Sequence, residues 1–144
     1  MAAPSFSTRR HKAAPRTRKL YTVAEANRAL PLVRRIVRDI VATHRQAAET
    51  QARLESAANV RQAMAVQGEL EATVDRLQDY VGELTALGCQ LKDYDVGLID
   101  FPSRSDGREI WLCWRLGEER VEYWHELHAG FSGRQPVTSL APQI

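Results

Sequence analysis

The densest cluster of reactive side chains lies near position 125 and combines imidazole with carboxylate groups. It comprises Glu122, His125, Glu126 and His128. Imidazole and carboxylate both suit Zn²⁺ and Fe²⁺. The two histidines are three positions apart, whereas zincin histidines lie four apart on one helix face. One interpretation is a metal site of another kind, with His125, Glu126 and His128 as ligands. The favoured interpretation is that His125 hydrogen-bonds locally and His128 is exposed.

Binding of a small anion is a second chemistry that the sequence suggests. Asp100 and Arg115 are expected to face each other on adjacent strands, and Arg134 reaches them if the last loop folds back over the sheet. Arginine grips carboxylates and phosphates with two parallel hydrogen bonds, so Arg115 and Arg134 beside His125 would clamp an anion. The same groups would also satisfy one another as an internal ion-pair network, and that interpretation is favoured.

The first element that must position these groups is a long helix. Thr22 and Glu25 have the spacing of a capping box, which predicts a helix start. Apolar or small residues then recur at alternating steps of four and three as far as Leu54, so the helix is expected to end near Ser56. Pro31 removes one backbone donor inside this stretch and predicts a kink.

A second helical stripe runs over positions 63–84 and does not continue the phase of the first. Together with Asn59 as a helix cap, this break predicts a tight turn near 56–59 and two antiparallel helices. A paired coiled-coil-like seam would place His44 opposite Glu71, as an ion pair that fixes the helix register.

After Gly88 the hydrophobic period changes to two, which predicts strands. Residues 96–101, 109–115 and 121–125 are expected to form a three-stranded antiparallel β-meander, separated by turns at Asp106-Gly107 and Gly117-Glu118. Alternation places three apolar residues of the middle strand on one face and three others on the opposite face. One face carries Ile110, Leu112 and Trp114. The opposite face carries Trp111, Cys113 and Arg115. The predicted fold class is therefore α+β, with a helical hairpin before the meander and an irregular C-terminal segment after it.

Length and charge suggest one domain with a basic extension. The chain has 144 residues, 44% of them apolar, which suits a single domain over 20–137 and a flexible C-terminus over 138–144. Residues 1–19 hold six bases and no acid, whereas the rest holds 14 bases and 18 acids. We expect residues 1–19 to form a disordered basic tail. The favoured interpretation is a solvated extension, and the alternative is a tail that binds nucleic acid.

Several function classes lack their sequence signals. No apolar run reaches membrane length and no secretory leader is evident, so a cytoplasmic protein without membrane contact is expected, with Cys89 and Cys113 as free thiols. A glycine-rich phosphate loop, a nucleophile elbow, a Cys-x-x-Cys pair and the repeated Glu-x-x-His of di-iron bundles are missing. Cys113 stands between two tryptophans on a strand, and packing is its favoured role.

Five motifs in order resemble a family of bacterial proteins, the domain of unknown function 2203. They are Tyr21-Thr-Val-Ala-Glu-Ala-Asn27 with Leu30-Pro31, Lys92-Asp93 with Gly97-Leu-Ile-Asp-Phe-Pro102, Leu112-Cys-Trp-Arg-Leu-Gly-Glu118, Tyr123-Trp-His-Glu126, and Gly130-Phe-Ser-Gly-Arg-Gln-Pro136. The resemblance covers about residues 20–137 and implies a compact cytoplasmic domain without an assigned activity. The motif positions it implies are Glu25, Asn27, Asp100, Arg115, Glu118, His125, Glu126, Gly130, Gly133 and Arg134. His128 departs from the family pattern, where an acid is more usual.

Two function hypotheses follow. The leading one is a non-enzymatic binding or assembly module that docks a protein partner, or a second copy of itself, through the helical hairpin and the tryptophan-bearing sheet. The alternative is a metal- or small-anion-binding enzyme or sensor centred on His125, with Asp100, Glu126 and Arg134. Glu25, Asn27, Arg115 and Glu122 complete the candidate polar cluster.

Overall fold

The computed structural model describes residues 19–143, in which two helices are followed by a sheet of five strands. The helices are α1 (Val23–Glu55) and α2 (Val60–Ala86), and the strands are β1 (Gln90–Asp93), β2 (Leu98–Ser105), β3 (Arg108–Arg115), β4 (Tyr123–His125) and β5 (Gln135–Pro136). The helical hairpin and the α+β class are as predicted. The basic tail predicted over 1–19 lies, apart from Lys19, outside the described residues.

Local capping fixes where both helices begin. The Thr22 hydroxyl accepts from the Glu25 N–H and the Glu25 carboxylate accepts from the Thr22 N–H, both at 3.1 Å, so the predicted capping box is confirmed. The Asn59 side chain accepts from the Gln62 N–H at 2.8 Å and begins α2. α1 runs continuously through Pro31, and the kink predicted there stays a prediction.

The two helices pair in a register different from the expected one. Arg53 donates to Glu69 at 2.7 Å and Arg76 donates to Gln46 at 3.1 Å, which places position 44 level with residues beyond 76 rather than with Glu71. The predicted pair of His44 and Glu71 is therefore wrong. His44 instead stacks on Tyr94, with 5.0 Å between ring centroids, in the loop after β1.

The sheet is antiparallel throughout, in the order β1-β2-β3-β4-β5. The sequence predicted three strands, which correspond to β2, β3 and β4. β1 and β5 were not predicted, because they have only four and two residues and lack the alternation of buried and exposed side chains that indicates a strand. β1 also carries a register irregularity between Leu91 and Asp93, which removes the regular period on which a strand prediction depends.

One face of the sheet packs on α1 and α2 and forms the core. Its buried side chains from β2 and β3 are Ile99, Phe101, Ile110, Leu112 and Trp114. Alternation predicted that the three β3 residues of this set share a face, but it left open which face of the sheet meets the helices. At the turn into β2, Gly97 has a φ of +71°, and a Cβ there would lie 2.8 Å from Cγ1 of Val37 on α1. The glycine thus lets the sheet approach the helix closely and fixes the position of β2.

The C-terminal segment folds back along the domain. Gln143 accepts from the Val23 N–H at 2.8 Å and donates to the Arg104 carbonyl at 2.9 Å, so the described part of the segment predicted to be flexible contacts both α1 and β2. Over residues 19–143, neither helix has a stretch that is both apolar and long enough to cross a membrane.

Candidate functional site

The sheet face opposite the helices brings together a carboxylate, a thiol and an imidazole. Asp100 on β2 is the direct partner of Cys113 on β3, and His125 on β4 is the partner of Trp111, two residues before Cys113. One donor atom from each of Asp100, Cys113 and His125 lies within 4.8 Å of the other two, and all three residues are buried. We call these three residues the buried triad.

A two-residue turn sets the register that forms the buried triad. Asp106 has a φ of +53° and Gly107 a φ of +78°, the pattern of a type I′ hairpin turn. Such a turn pairs Ser105 with Arg108, and counting back along both strands pairs Asp100 with Cys113. The Asp106-Gly107 turn was predicted from the sequence, but the pairing of Asp100 with Cys113 that follows from it was not.

The register also corrects the predicted contact between Asp100 and Arg115. Arg115 is the partner of Leu98, two positions away from the level of Asp100. Its side chain is exposed and its guanidinium lies 5.6 Å from the centre of the Phe131 ring. This register removes the placement of Arg115 on which the predicted anion clamp of Arg115 and Arg134 beside His125 depended.

His125 makes two hydrogen bonds, and both partners are acceptors. Its Nδ1 lies 2.8 Å from the Glu126 carbonyl oxygen, and its Nε2 lies 3.0 Å from Oδ1 of Asp100. Because a carbonyl can only accept, Nδ1 must carry a proton, which leaves Nε2 with a lone pair in the neutral ring. A lone pair and a carboxylate oxygen repel each other, so a proton or a metal ion is needed between Nε2 and Asp100.

Because His125 and Asp100 are buried, the net charge of the pair strongly affects the stability of the fold. The side chains of His125 and Asp100 are 4% and 2% exposed. A buried carboxylate without a compensating positive charge is strongly unfavourable, so the two residues depend on each other. Burial, followed by the neighbouring Asp100 carboxylate, raises the pKa of the Cys113 thiol to about 11. The thiol is therefore protonated near neutral pH and is not an activated nucleophile.

A cavity of about 170 Å³ lies directly over the buried triad. The sheet contributes the triad, Lys92, Leu98 and Trp111, and the segment after β4 contributes Leu127, Ala129, Gly130 and Phe131. This space holds several water molecules or a small organic molecule. The segment after β4 thus forms one wall of the cavity.

Arg134 holds this wall in place rather than reaching His125. Its guanidinium forms a two-pronged pair with Glu118, at 2.9 Å for one prong, and lies 4.2 Å from the centre of the Tyr123 ring. It also donates to the Cys113 carbonyl at 3.2 Å. The internal ion-pair network that the sequence favoured exists for Arg134, with Glu118 as the acid. Sequence reasoning left this acid out of the candidate cluster.

The remaining sequence-predicted residues lie apart from the buried triad. Glu25 caps α1, and the Asn27 side chain accepts from the Val121 N–H at 2.8 Å and so joins α1 to the segment before β4. Glu126 pairs with Arg108 at 2.7 Å. Glu122 and His128 are exposed. Within residues 19–143, the predicted ligands His125, Glu126 and His128 do not lie together. The donors that lie beside His125 are instead Asp100 and Cys113, although the sequence favours a packing role for Cys113.

Replacing Glu118 with glutamine is expected to destabilise the domain in a pH-dependent way. Burial raises the pKa of Glu118, but hydrogen bonds from Arg134 and from the Arg115 N–H outweigh burial, so its pKa is lowered. The carboxylate therefore stabilises the fold above its unfolded pKa of about 4.3, and this contribution disappears as the pH falls through the lower folded value. We expect a loss of about 1–2 kcal/mol at pH 7.

Urea unfolding at neutral and acid pH measures this effect. The exposed neighbour Glu119→Gln is the control and should change the unfolding free energy by less than about 0.5 kcal/mol. A difference between Glu118→Gln and the unsubstituted protein that stays constant down to pH 3 would show that the carboxylate charge is not responsible.

The fold and the site define a small α+β domain with a buried polar triad beneath a cavity. The chain belongs to the family described as "Uncharacterized conserved protein (DUF2203)", whose model matches residues 19–137. No curated protein and no solved structure matches it.

Proposed function

We propose that this protein binds one divalent transition-metal ion, with Zn²⁺ as the preferred ion, through Asp100, Cys113 and His125. The observation that carries the proposal is the convergence of three different donor atoms within 4.8 Å on three adjacent strands. Thiolate, imidazole and carboxylate are the ligand types that Zn²⁺ takes in proteins.

The donor spacing suits a tetrahedral ion. With Zn–N and Zn–O bonds of about 2.0–2.2 Å, two ligands of a tetrahedral zinc lie roughly 3.3 Å apart. The distance between Nε2 of His125 and Oδ1 of Asp100 is 3.0 Å, so a separation of a few tenths of an ångström admits the ion. Cys113 lies on the middle strand beside both residues and supplies the sulfur.

The hydrogen bond from His125 to the Glu126 carbonyl also supports metal binding. Histidines that bind metals commonly donate the other ring N–H to a carbonyl or carboxylate, which fixes the ring and directs the free nitrogen at the ion. Here Nδ1 donates at 2.8 Å, and Nε2 is the nitrogen that lies 3.0 Å from Oδ1 of Asp100. The ring is thus oriented before any ion binds.

Charge balance explains why such a site would be buried. A divalent ion with one thiolate, one carboxylate and a neutral imidazole has no net charge, which lowers the cost of burying it. Binding displaces the proton between His125 and Asp100 and the thiol proton of Cys113. Because the triad lines the cavity, a fourth ligand would come from water or a small molecule there.

Cobalt substitution tests the proposal, because Co²⁺ bound by a thiolate gives a charge-transfer absorption that Zn²⁺ lacks. We expect this absorption to saturate at one Co²⁺ per chain and to be lost in Cys113→Ser. Cys89→Ser is a matched control, because Cys89 is also a buried free cysteine but lies outside the triad. Absence of the band in the unsubstituted protein, or its persistence in Cys113→Ser, would contradict the proposal.

A second candidate function is self-association through the end of the hairpin. The tryptophans that the sequence offered for docking are buried, with Trp111 the most accessible at 8%. At the start of α2, by contrast, Val60 and Met64 are 75% and 71% exposed and lie one turn apart. Exposed apolar side chains of this kind suit contact with a second copy.

Light scattering after size exclusion distinguishes this second candidate. If the hairpin end joins two copies, the protein is dimeric and a Val60→Ser, Met64→Ser double variant is monomeric. Identical masses for the two proteins would exclude this surface as the contact, and neither result alters the metal proposal.

A further inference from the structure

The exposed side of α1 carries a line of arginines that the proposed function does not use. We define this basic face by Arg28, Arg35, Arg38 and Arg45, which are all exposed. At 3.6 residues per turn they fall within a sector of about 100° around the helix axis, and they extend for roughly 25 Å along it.

These arginines differ from the others of the helix in having few internal contacts. Arg34 donates to the Glu119 carbonyl at 2.9 Å, and Arg53 pairs with Glu69 at 2.7 Å. Within residues 19–143, Arg35, Arg38 and Arg45 make no ion pair or hydrogen bond. Arg28 of the basic face acts on Glu25 only through its charge. The guanidinium groups are therefore available to a ligand.

The surrounding charge is strongly one-sided. Positions 26–48 contain five arginines and a single acid, Asp39. Six further bases and no acid stand over positions 1–19, and Glu25 is the one charged residue between them and Arg28. The described chain after this stretch, over positions 49–143, is acidic, so the positive charge of the described residues is concentrated over positions 26–48.

We propose that the basic face binds the phosphate backbone of a nucleic acid. Arginine forks match phosphate oxygens, and a row of them along a rigid helix suits a regular polyanion. A protein partner would need large apolar anchors, and Leu32 is the one large apolar side chain exposed in this part of α1. A membrane surface is disfavoured because the apolar side of α1 is buried in the core.

Fluorescence anisotropy of the full chain with labelled RNA and DNA duplexes of about 20 base pairs tests the proposal. The logarithm of the binding constant should fall linearly with the logarithm of salt concentration. The Arg35→Ala, Arg38→Ala double variant should weaken binding to all duplex sequences alike, and should reduce the steepness of this line by about 2, because each phosphate contact contributes about 0.9.

Two variants serve as controls. Arg53→Ala removes an arginine that is already paired and should leave the steepness unchanged, and Arg35→Lys, Arg38→Lys should retain most of the binding. The proposal is overturned if no duplex binds at low salt, if the double alanine variant binds like the unsubstituted protein, or if vesicles containing phosphatidylserine bind while duplexes do not. The result is independent of the metal site, since measurements with and without Zn²⁺ should agree.

Discussion

Replacing His125 with alanine is expected to lower the free energy of unfolding of the metal-free protein by about 3–5 kcal/mol. The substitution leaves the side chain of Asp100, which is 2% exposed, without the hydrogen bond to His125 that compensates for its burial. It also opens a gap beneath the cavity, where packing is lost. Urea unfolding of both proteins in a metal chelator measures the loss.

His128, three residues further along the chain, provides the control for this prediction. It is exposed, so His128→Ala should change the free energy of unfolding by less than about 0.5 kcal/mol. If His125→Ala costs less than about 1 kcal/mol, the pair of His125 and Asp100 is not the buried charge pair described above.

The second large effect is stabilisation of the fold by Zn²⁺. At a free zinc concentration about 100 times the dissociation constant, an ion that binds only the folded state stabilises it by about 2.7 kcal/mol. For a domain of this size, that free energy raises the melting temperature by roughly 10 °C. Differential scanning calorimetry with and without Zn²⁺ measures the shift.

Asp100→Asn should abolish most of this zinc effect, because the amide retains the shape of the side chain but loses the negative charge that binds the ion. Asp106→Asn is the matched control, since Asp106 is an exposed turn residue with a positive φ that asparagine also tolerates. Equal zinc shifts in the two variants would locate the bound ion elsewhere.

Much of the scaffold could be predicted because its signals are local. The capping box at Thr22 and Glu25 and the asparagine cap at position 59 each depend on residues within one helical turn. The phase break between the two apolar stripes predicted the hairpin, since a continuous helix would have kept one phase. Alternation likewise predicted which residues of β3 share a face, although it did not predict which of the two faces enters the core.

The site was only partly predictable because it depends on non-local register. His125 and Asp100 were both named from the sequence, but Arg115 was placed opposite Asp100, where the structure has Cys113. A shift of two residues along a strand keeps the same face and therefore leaves the hydrophobic pattern unchanged. Only the geometry of the Asp106-Gly107 turn distinguishes the two registers.

The pairing of Arg134 with Glu118 was hidden for a related reason. Sixteen residues separate the two, and they meet only because the segment after β4 turns back over the outer sheet face. This segment contains short 3-10 turns and a two-residue strand, whose paths have no strong periodic signal. Its role as a wall of the cavity follows from the folded geometry alone.

The metal content of the protein, purified without a histidine tag and dialysed against Zn²⁺, tests the central claim most directly. We predict about one equivalent of zinc per chain in the unsubstituted protein and less than about 0.1 equivalents in a Cys113→Ser, His125→Ala double variant whose circular dichroism shows a folded domain. Equal zinc contents in the two proteins, or none in either, would contradict the account.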